Sequence, residues 1–211
     1  MDSFADLMFT DAVSAYQKAD GSYERFQKSY QNRFKGDLDE DAKAFIESRT
    51  SFYMASQNSD GWPYVQHRGG PAGFLKVIGP TRIGFADYPG NRQFVTQGNL
   101  DADGRVALIL MDYPRQARLK LLGHATMMAA SADYALAKEL EQENGPRPER
   151  LVVIDVAAMD WNCPKYIEPR FTEAEIAKMM APRIEALSTR NQQLEAEISA
   201  LKQGMGKQND S

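Results

Sequence analysis

Between Ser51 and Ala86, four strand-like segments follow one another with little between them. Ser51 to Gln57 and Trp62 to Arg68 flank the turn signal Asn58-Ser59-Asp60-Gly61, and Gly73 to Ile78 is joined to Thr81 to Ala86 by Gly79-Pro80. A parallel pair needs a crossover of about a dozen residues or more, so connections this short favour antiparallel neighbours. Further strands are predicted over Arg105 to Asp112, Ala117 to Met128 and Leu151 to Ala157, with Gly123 placed where a barrel strand would bend. The pattern predicts a mainly β (α+β) fold: an antiparallel barrel with flanking helices rather than a doubly wound sheet.

The helices lie around this core. Phe4 to Phe34 reads as two helices broken at Asp20-Gly21-Ser22. Asp39 is placed to cap a helix over Glu40 to Ser48, with Phe45 and Ile46 pointing inward. A short helix is expected before Asn99 and another over Ser131 to Glu143, followed by the turn Asn144-Gly145-Pro146. The last helix runs from about Glu173 to Gln203, capped by Thr172. In it Ile184, Asn191 and Ile198 occupy a positions of a heptad, and Leu187, Leu194 and Leu201 occupy d positions. Pairs Arg190 to Glu195 and Glu197 to Lys202 would attract across a parallel dimer, while Pro182 would kink or delay the coil. The alternative is an amphipathic helix lying on the chain's own barrel. Two domains are expected: 1–171, the barrel with its N-terminal helices, and 172–211, a parallel coiled-coil helix with a disordered tail.

Charge and composition narrow the function classes. The net charge is -4, which argues against bulk nucleic-acid binding. The one cysteine, Cys163, excludes an intrachain disulfide and suits a reducing compartment. No apolar run approaches membrane-spanning length, and Met1-Asp2-Ser3-Phe4 does not open a signal peptide, so a cytoplasmic protein away from membranes is expected.

The stretch from Pro63 to Asn99 gathers three groups suited to an anion: Arg68, Lys76 and the Asn91-Arg92-Gln93 run, all near ends of predicted elements. The glycines of Gly69-Gly70-Pro71-Ala72-Gly73 fit neither GxGxxG nor a P-loop, and are read as allowing a tight turn and close approach to a flat ligand. His67, His124 and Cys163 have no zinc-site spacing, and structural roles are favoured for all three.

Four motifs together carry a resemblance. They are His67 to Phe74 (HRGGPAGF), Asp87 to Gln93 (DYPGNRQ), Gly98-Asn99-Leu100, and Asn162 to Arg170 (NCPKYIEPR). The chain from Phe9 to Phe171 resembles the FMN-binding split barrels of the pyridoxamine 5′-phosphate oxidase superfamily. The resemblance implies a split barrel, FMN as cofactor, and a homodimer with FMN at the subunit interface. It implies that Arg68 and Lys76 flank the phosphate and that Asn91, Arg92 and Gln93 form a phosphate clasp. Asp87, Tyr88 and Asn99 enter as cofactor-site residues through the same motifs. Arg115-Gln116-Ala117-Arg118 is similar to the family's Arg-Gln-Val-Arg strand, which implies that Gln116 and Arg118 face the flavin from the other subunit. No Arg-x-His tail follows to grip pyridoxal phosphate. The expected function is an FMN-dependent oxidoreductase acting on a small organic substrate, with NADH, NADPH or oxygen as the other partner and no catalytic side chain singled out. The alternatives are a non-catalytic flavin sensor or carrier and a haem-binding split barrel, for which His67 or His124 would have to be the axial ligand.

Overall fold

In the computed structural model, which describes residues 1–31, 36–143, 145–161 and 165–208 (backbone only from 201), seven strands form one antiparallel sheet. They are β1 (Ser51–Gln57), β2 (Pro63–Gly69), β3 (Leu75–Gly79), β4 (Arg82–Asp87), β5 (Arg105–Asp112), β6 (Ala117–Ala129) and β7 (Arg150–Trp161). The spatial order is β2-β1-β5-β6-β7-β4-β3. Its two ends, β2 and β3, do not pair with each other, so the sheet curls without closing, as a split barrel does.

Alternation explains the curl. Phe52 and Met54 on β1, and Val106, Leu108 and Leu110 on β5, are buried, while their odd-numbered neighbours face outward. The inward set meets across the barrel: the Phe52 ring lies 5.5 Å from Phe85 on β4, although β1 and β4 stand near opposite ends of the strand order. Gly123 marks a register shift between β6 and β7, where an added Cβ would come within 2.6 Å of the Asp155 carbonyl oxygen. The bend expected there is a bulge that only glycine accommodates.

Helices α1 (Phe4–Met8), α2 (Asp11–Asp20), α3 (Tyr23–Tyr30), α4 (Glu40–Glu47), α5 (Val95–Ala102), α6 (Tyr134–Leu140) and α7 (Glu173–Gln208) complete the chain. The N-terminal pair of helices is in fact three, because Thr10 starts α2 by accepting from the Val13 N–H. Asp39 Oδ1 accepts from the Ala42 N–H at 2.7 Å, capping α4, whose Phe45 and Ile46 are buried. The helix expected over 131–143 is shorter, since Asp133 caps α6 only at Tyr134. Strand β7 is longer than its apolar run, because Trp161 still pairs with Leu119. Asn144 and Asn162-Cys163-Pro164, named in the turn and motif readings, lie outside the described residues.

Two compact units result, Met1–Glu168 and Pro169–Ser211. The second contains α7, which Thr172 caps reciprocally: Thr172 Oγ1 accepts from the Glu175 N–H, and the Glu175 carboxylate accepts from the Thr172 N–H. Pro182 sits inside this helix without ending it. The helix reaches Gln208, and of the disordered tail expected after Gln203, residues 209–211 lie outside the described residues. Among the described residues no helix is long and apolar enough to cross a membrane.

Candidate functional site

A cleft of about 210 Å³ opens where β2 faces the segment that follows β4. Three alternate residues of β2, Tyr64, Gln66 and Arg68, line one wall. They share a face because strand side chains repeat every second residue. The opposite wall is Asp87, Tyr88 and the loop through Gly90, Asn91, Arg92 and Gln93 into α5; Arg150, which begins β7, and Met127 also line it.

The charges form a chain. Asp87 Oδ1 accepts from Arg68 Nη1 at 2.9 Å, and its Oδ2 accepts from Arg150 Nε at 2.9 Å. Glu149 lies 3.4 Å from Arg150 and 3.5 Å from Arg92. Three guanidiniums thus meet two carboxylates, leaving one unit of positive charge. Arg68, Asp87 and Arg150 are largely buried, whereas the Arg92 side chain is 61% exposed. The Nε of Arg68 is buried and has no hydrogen-bond partner among the described residues.

The α5 end of the cleft is unusual. Arg92 and Phe94 both take left-handed conformations, at φ 56° each, which side-chain-bearing residues rarely adopt. Phe94 is the residue before α5 and supplies no side-chain cap, so among the described residues no side chain caps the first N–H groups of the helix, beside the cleft-lining Val95, Thr96 and Gln97. Strained backbone and free donors at a helix N-terminus, next to arginines, suit an anion. Two hydrogen bonds hold the helix there: Thr96 Oγ1 donates to Gln66 Oε1 at 2.8 Å, and Asn99 Nδ2 donates to Ser56 Oγ at 2.9 Å.

Of the residues singled out in the sequence, the structure brings Arg68, Asp87, Tyr88, Asn91, Arg92 and Gln93 to this cleft. Tyr88 Oη also accepts from the Gln142 N–H at 3.0 Å. Lys76 is not among the lining residues. Its neighbour Leu75 faces the core, so Lys76 points the other way and donates to the Glu139 carbonyl near the end of α6. Asn99 is buried and anchors α5 rather than lining the cleft. Gln116, at φ 52°, donates through Nε2 to the Ile167 carbonyl. Arg118 has a buried Nε with no partner among the described residues, away from the cleft of its own chain. The glycine run does not line the cleft either: a Cβ on Gly70 would meet Phe74 at 2.7 Å, so the close approach is to the chain itself. His67 and His124 are exposed and outside the cleft. Sequence reasoning missed Arg150, whose only signal was a basic residue opening a strand, and Tyr64, Gln66 and Thr96, which had none.

A family profile described as pyridoxamine 5′-phosphate oxidase matches residues 38–163, more than half of the chain. The chain belongs to this family. The family match covers every strand and the whole cleft, and ends before α7. Two structures of HupZ from Group A Streptococcus share the fold. One has 15% identity over 64% of this chain and 99% of that one, with a TM-score of 0.50. The other, a histidine-to-alanine variant, has 16% identity over 59% and 99%, also with a TM-score of 0.50. No curated protein sequence matches the chain.

Proposed function

We propose that this protein is an FMN-dependent oxidoreductase that acts on a small organic substrate as a homodimer, with NADH or NADPH as electron donor and the cytoplasm as its compartment. The observation that carries the reading is the uncapped start of α5 set against Arg68, Arg92 and Arg150. A phosphate monoester dianion matches those donors, because charge-assisted bonds from guanidiniums and helix N–H groups are the strong ones. Membership of the oxidase family raises FMN above other phosphate esters.

The residues fit that group. Arg92 is exposed and its guanidinium is shared only loosely with Glu149, so it is available to a phosphate. Arg68 and Arg150 are held in place by Asp87 and set the field of the cleft rather than swinging freely. Asn91 Oδ1 accepts from the Gln93 N–H at 3.1 Å, which shapes the loop that presents Arg92. When bound, FMN supplies hydride or electron transfer through its ring.

Two features support a dimer. The cleft is smaller than the roughly 300 Å³ at which pockets begin to enclose a ligand of this size, so one chain provides only part of an enclosure. The outward face of β1, β2, β5 and β6 also carries two neighbouring rows, Tyr53 paired with Ile109 between His67 and Lys120, and Val65 and Leu122 on either side of Ala55 and Ala107, with Tyr53 41% and Val65 61% exposed. A second copy seated on that face would cover apolar area. It would also give Arg118, whose buried Nε has no partner among the described residues, a place to act on a flavin held by the neighbouring chain, with Gln116 beside it.

The test is to purify the protein, release any bound chromophore by denaturation and identify it, then add NADH or NADPH to the intact protein. FMN at one per chain, bleached by a reduced nicotinamide, is expected. A colourless protein with no affinity for added FMN sinks the proposal, and a Soret band would point to haem instead. FMN that no donor bleaches would mark a carrier rather than an enzyme.

A further inference from the structure

Outside the cleft, α7 carries a heptad seam of its own. Extending the heptad toward its N-terminus adds Ala177 at a and Met180 at d, giving four consecutive a/d pairs that end at Ile198 and Leu201. Up to Ile198 the large apolar residues of this row are uncovered: Ile184 is 60% exposed, Leu187 56%, Ile198 50%, Met180 43% and Leu194 37%. Leu187 and Leu194 flank Asn191, and a groove runs along Ile184, Leu187, Asn191 and Glu195. A row of half-exposed aliphatics at alternating spacings of three and four lacks the burial that makes such a row worth having.

We infer that α7 pairs with α7 of a second copy of this chain as a parallel, in-register coiled coil. The seam identifies its own partner. Isoleucine at a with leucine at d favours two parallel strands. Asn191 then meets its own copy, and the two side-chain amides can bond to each other. In an antiparallel pair an a position faces a d position, leaving the Asn191 amide opposite a leucine with its hydrogen-bonding capacity unmet. The flanking charges are self-complementary in the parallel register. Arg190 at g reaches Glu195 at e of the partner helix, and Glu197 at g stands toward Lys202 at e. Within its own helix Arg190 makes only a 3.4 Å contact with Gln193, so its guanidinium is available. Pro182 falls at f, the position farthest from the seam, where its missing N–H does not disturb the packing. The pairing belongs to the second compact unit alone and stands whether or not the first binds flavin.

Single cysteines at both ends of the seam decide the geometry in the full-length chain, with Cys163→Ser removing the native thiol. In the inferred coil Ile184→Cys and Ile198→Cys each cross-link to their own copy under mild oxidation, while the outward-facing Thr189→Cys does not. Residues 184 and 198 lie about 21 Å apart along a helix at 1.5 Å per residue, so an antiparallel pair, which has a single centre, cannot bring both onto their own copies and would cross-link one variant at most. That result, or no cross-link in any variant, overturns the inference. Should a cysteine in the seam loosen the coil, nitroxides at Lys178, Gln192 and Ser199, all at b, read the geometry from outside. Equal label-to-label distances at all three positions support parallel register, since an antiparallel pair can match two at most. Unequal distances, or none within range, overturn it.

Discussion

Arg68 and Asp87 meet at 2.9 Å across the open side of the barrel, although β2 and β4 are separated by four other strands in the order of the sheet. The contact bridges β2 and β4 where the sheet does not close and makes Asp87 a shared acceptor for Arg68 and Arg150. The cleft is built on that shared carboxylate.

Replacing Asp87 with Asn should therefore be costly. It leaves two largely buried guanidiniums with a neutral neighbour, and removing one partner of such a pair typically destabilises by about 3–5 kcal/mol. The expected loss in urea unfolding is about 3 kcal/mol; a loss under about 1 kcal/mol would mean that water already screens the group.

At Arg92, stability and binding should part company. Its φ of 56° suits glycine, so Arg92→Gly relieves strain worth about 1 kcal/mol and should raise the melting temperature. In the proposed site the same change removes a charge-assisted bond to the phosphate, worth about 1.5–3 kcal/mol, and should weaken the proposed FMN binding by about tenfold or more. Titration of FMN fluorescence against both proteins checks this, and equal affinities would remove Arg92 from the phosphate site.

Gly123→Ala tests the bulge. The new methyl group meets the Asp155 carbonyl oxygen at 2.6 Å, and such overpacking costs about 1–3 kcal/mol. A variant as stable as the parent would show that β6 and β7 can shift register there without penalty.

Asp103 offers a pH reading. Hydrogen bonds from the Arg105 side chain and backbone, with its charge, hold the carboxyl at about 2, below the ordinary 3.8. Because the folded value is the lower one, this contribution to stability is present above 3.8 and fades as pH falls through about 2. NMR titration should place the Asp103 midpoint near 2, and Arg105→Ala should move it back up toward 3.8.

Much of this molecule is local and was therefore readable in order along the chain. The limits of β1 and β5 follow from period-two alternation, the start of α4 from the carboxylate of Asp39, and the seam of α7 from spacings of three and four. Each depends on residues within a few positions of one another. What only the tertiary structure decided is which strand ends meet. Lys76 and Arg150 look alike in the sequence, each a cation at or near the start of a strand. Yet strand parity turns Lys76 toward α6, while the place of β7 beside β4 brings Arg150 onto Asp87. Side-chain direction repeats every two residues, but the neighbour it finds is set by strand order and curl, and those are properties of the whole sheet.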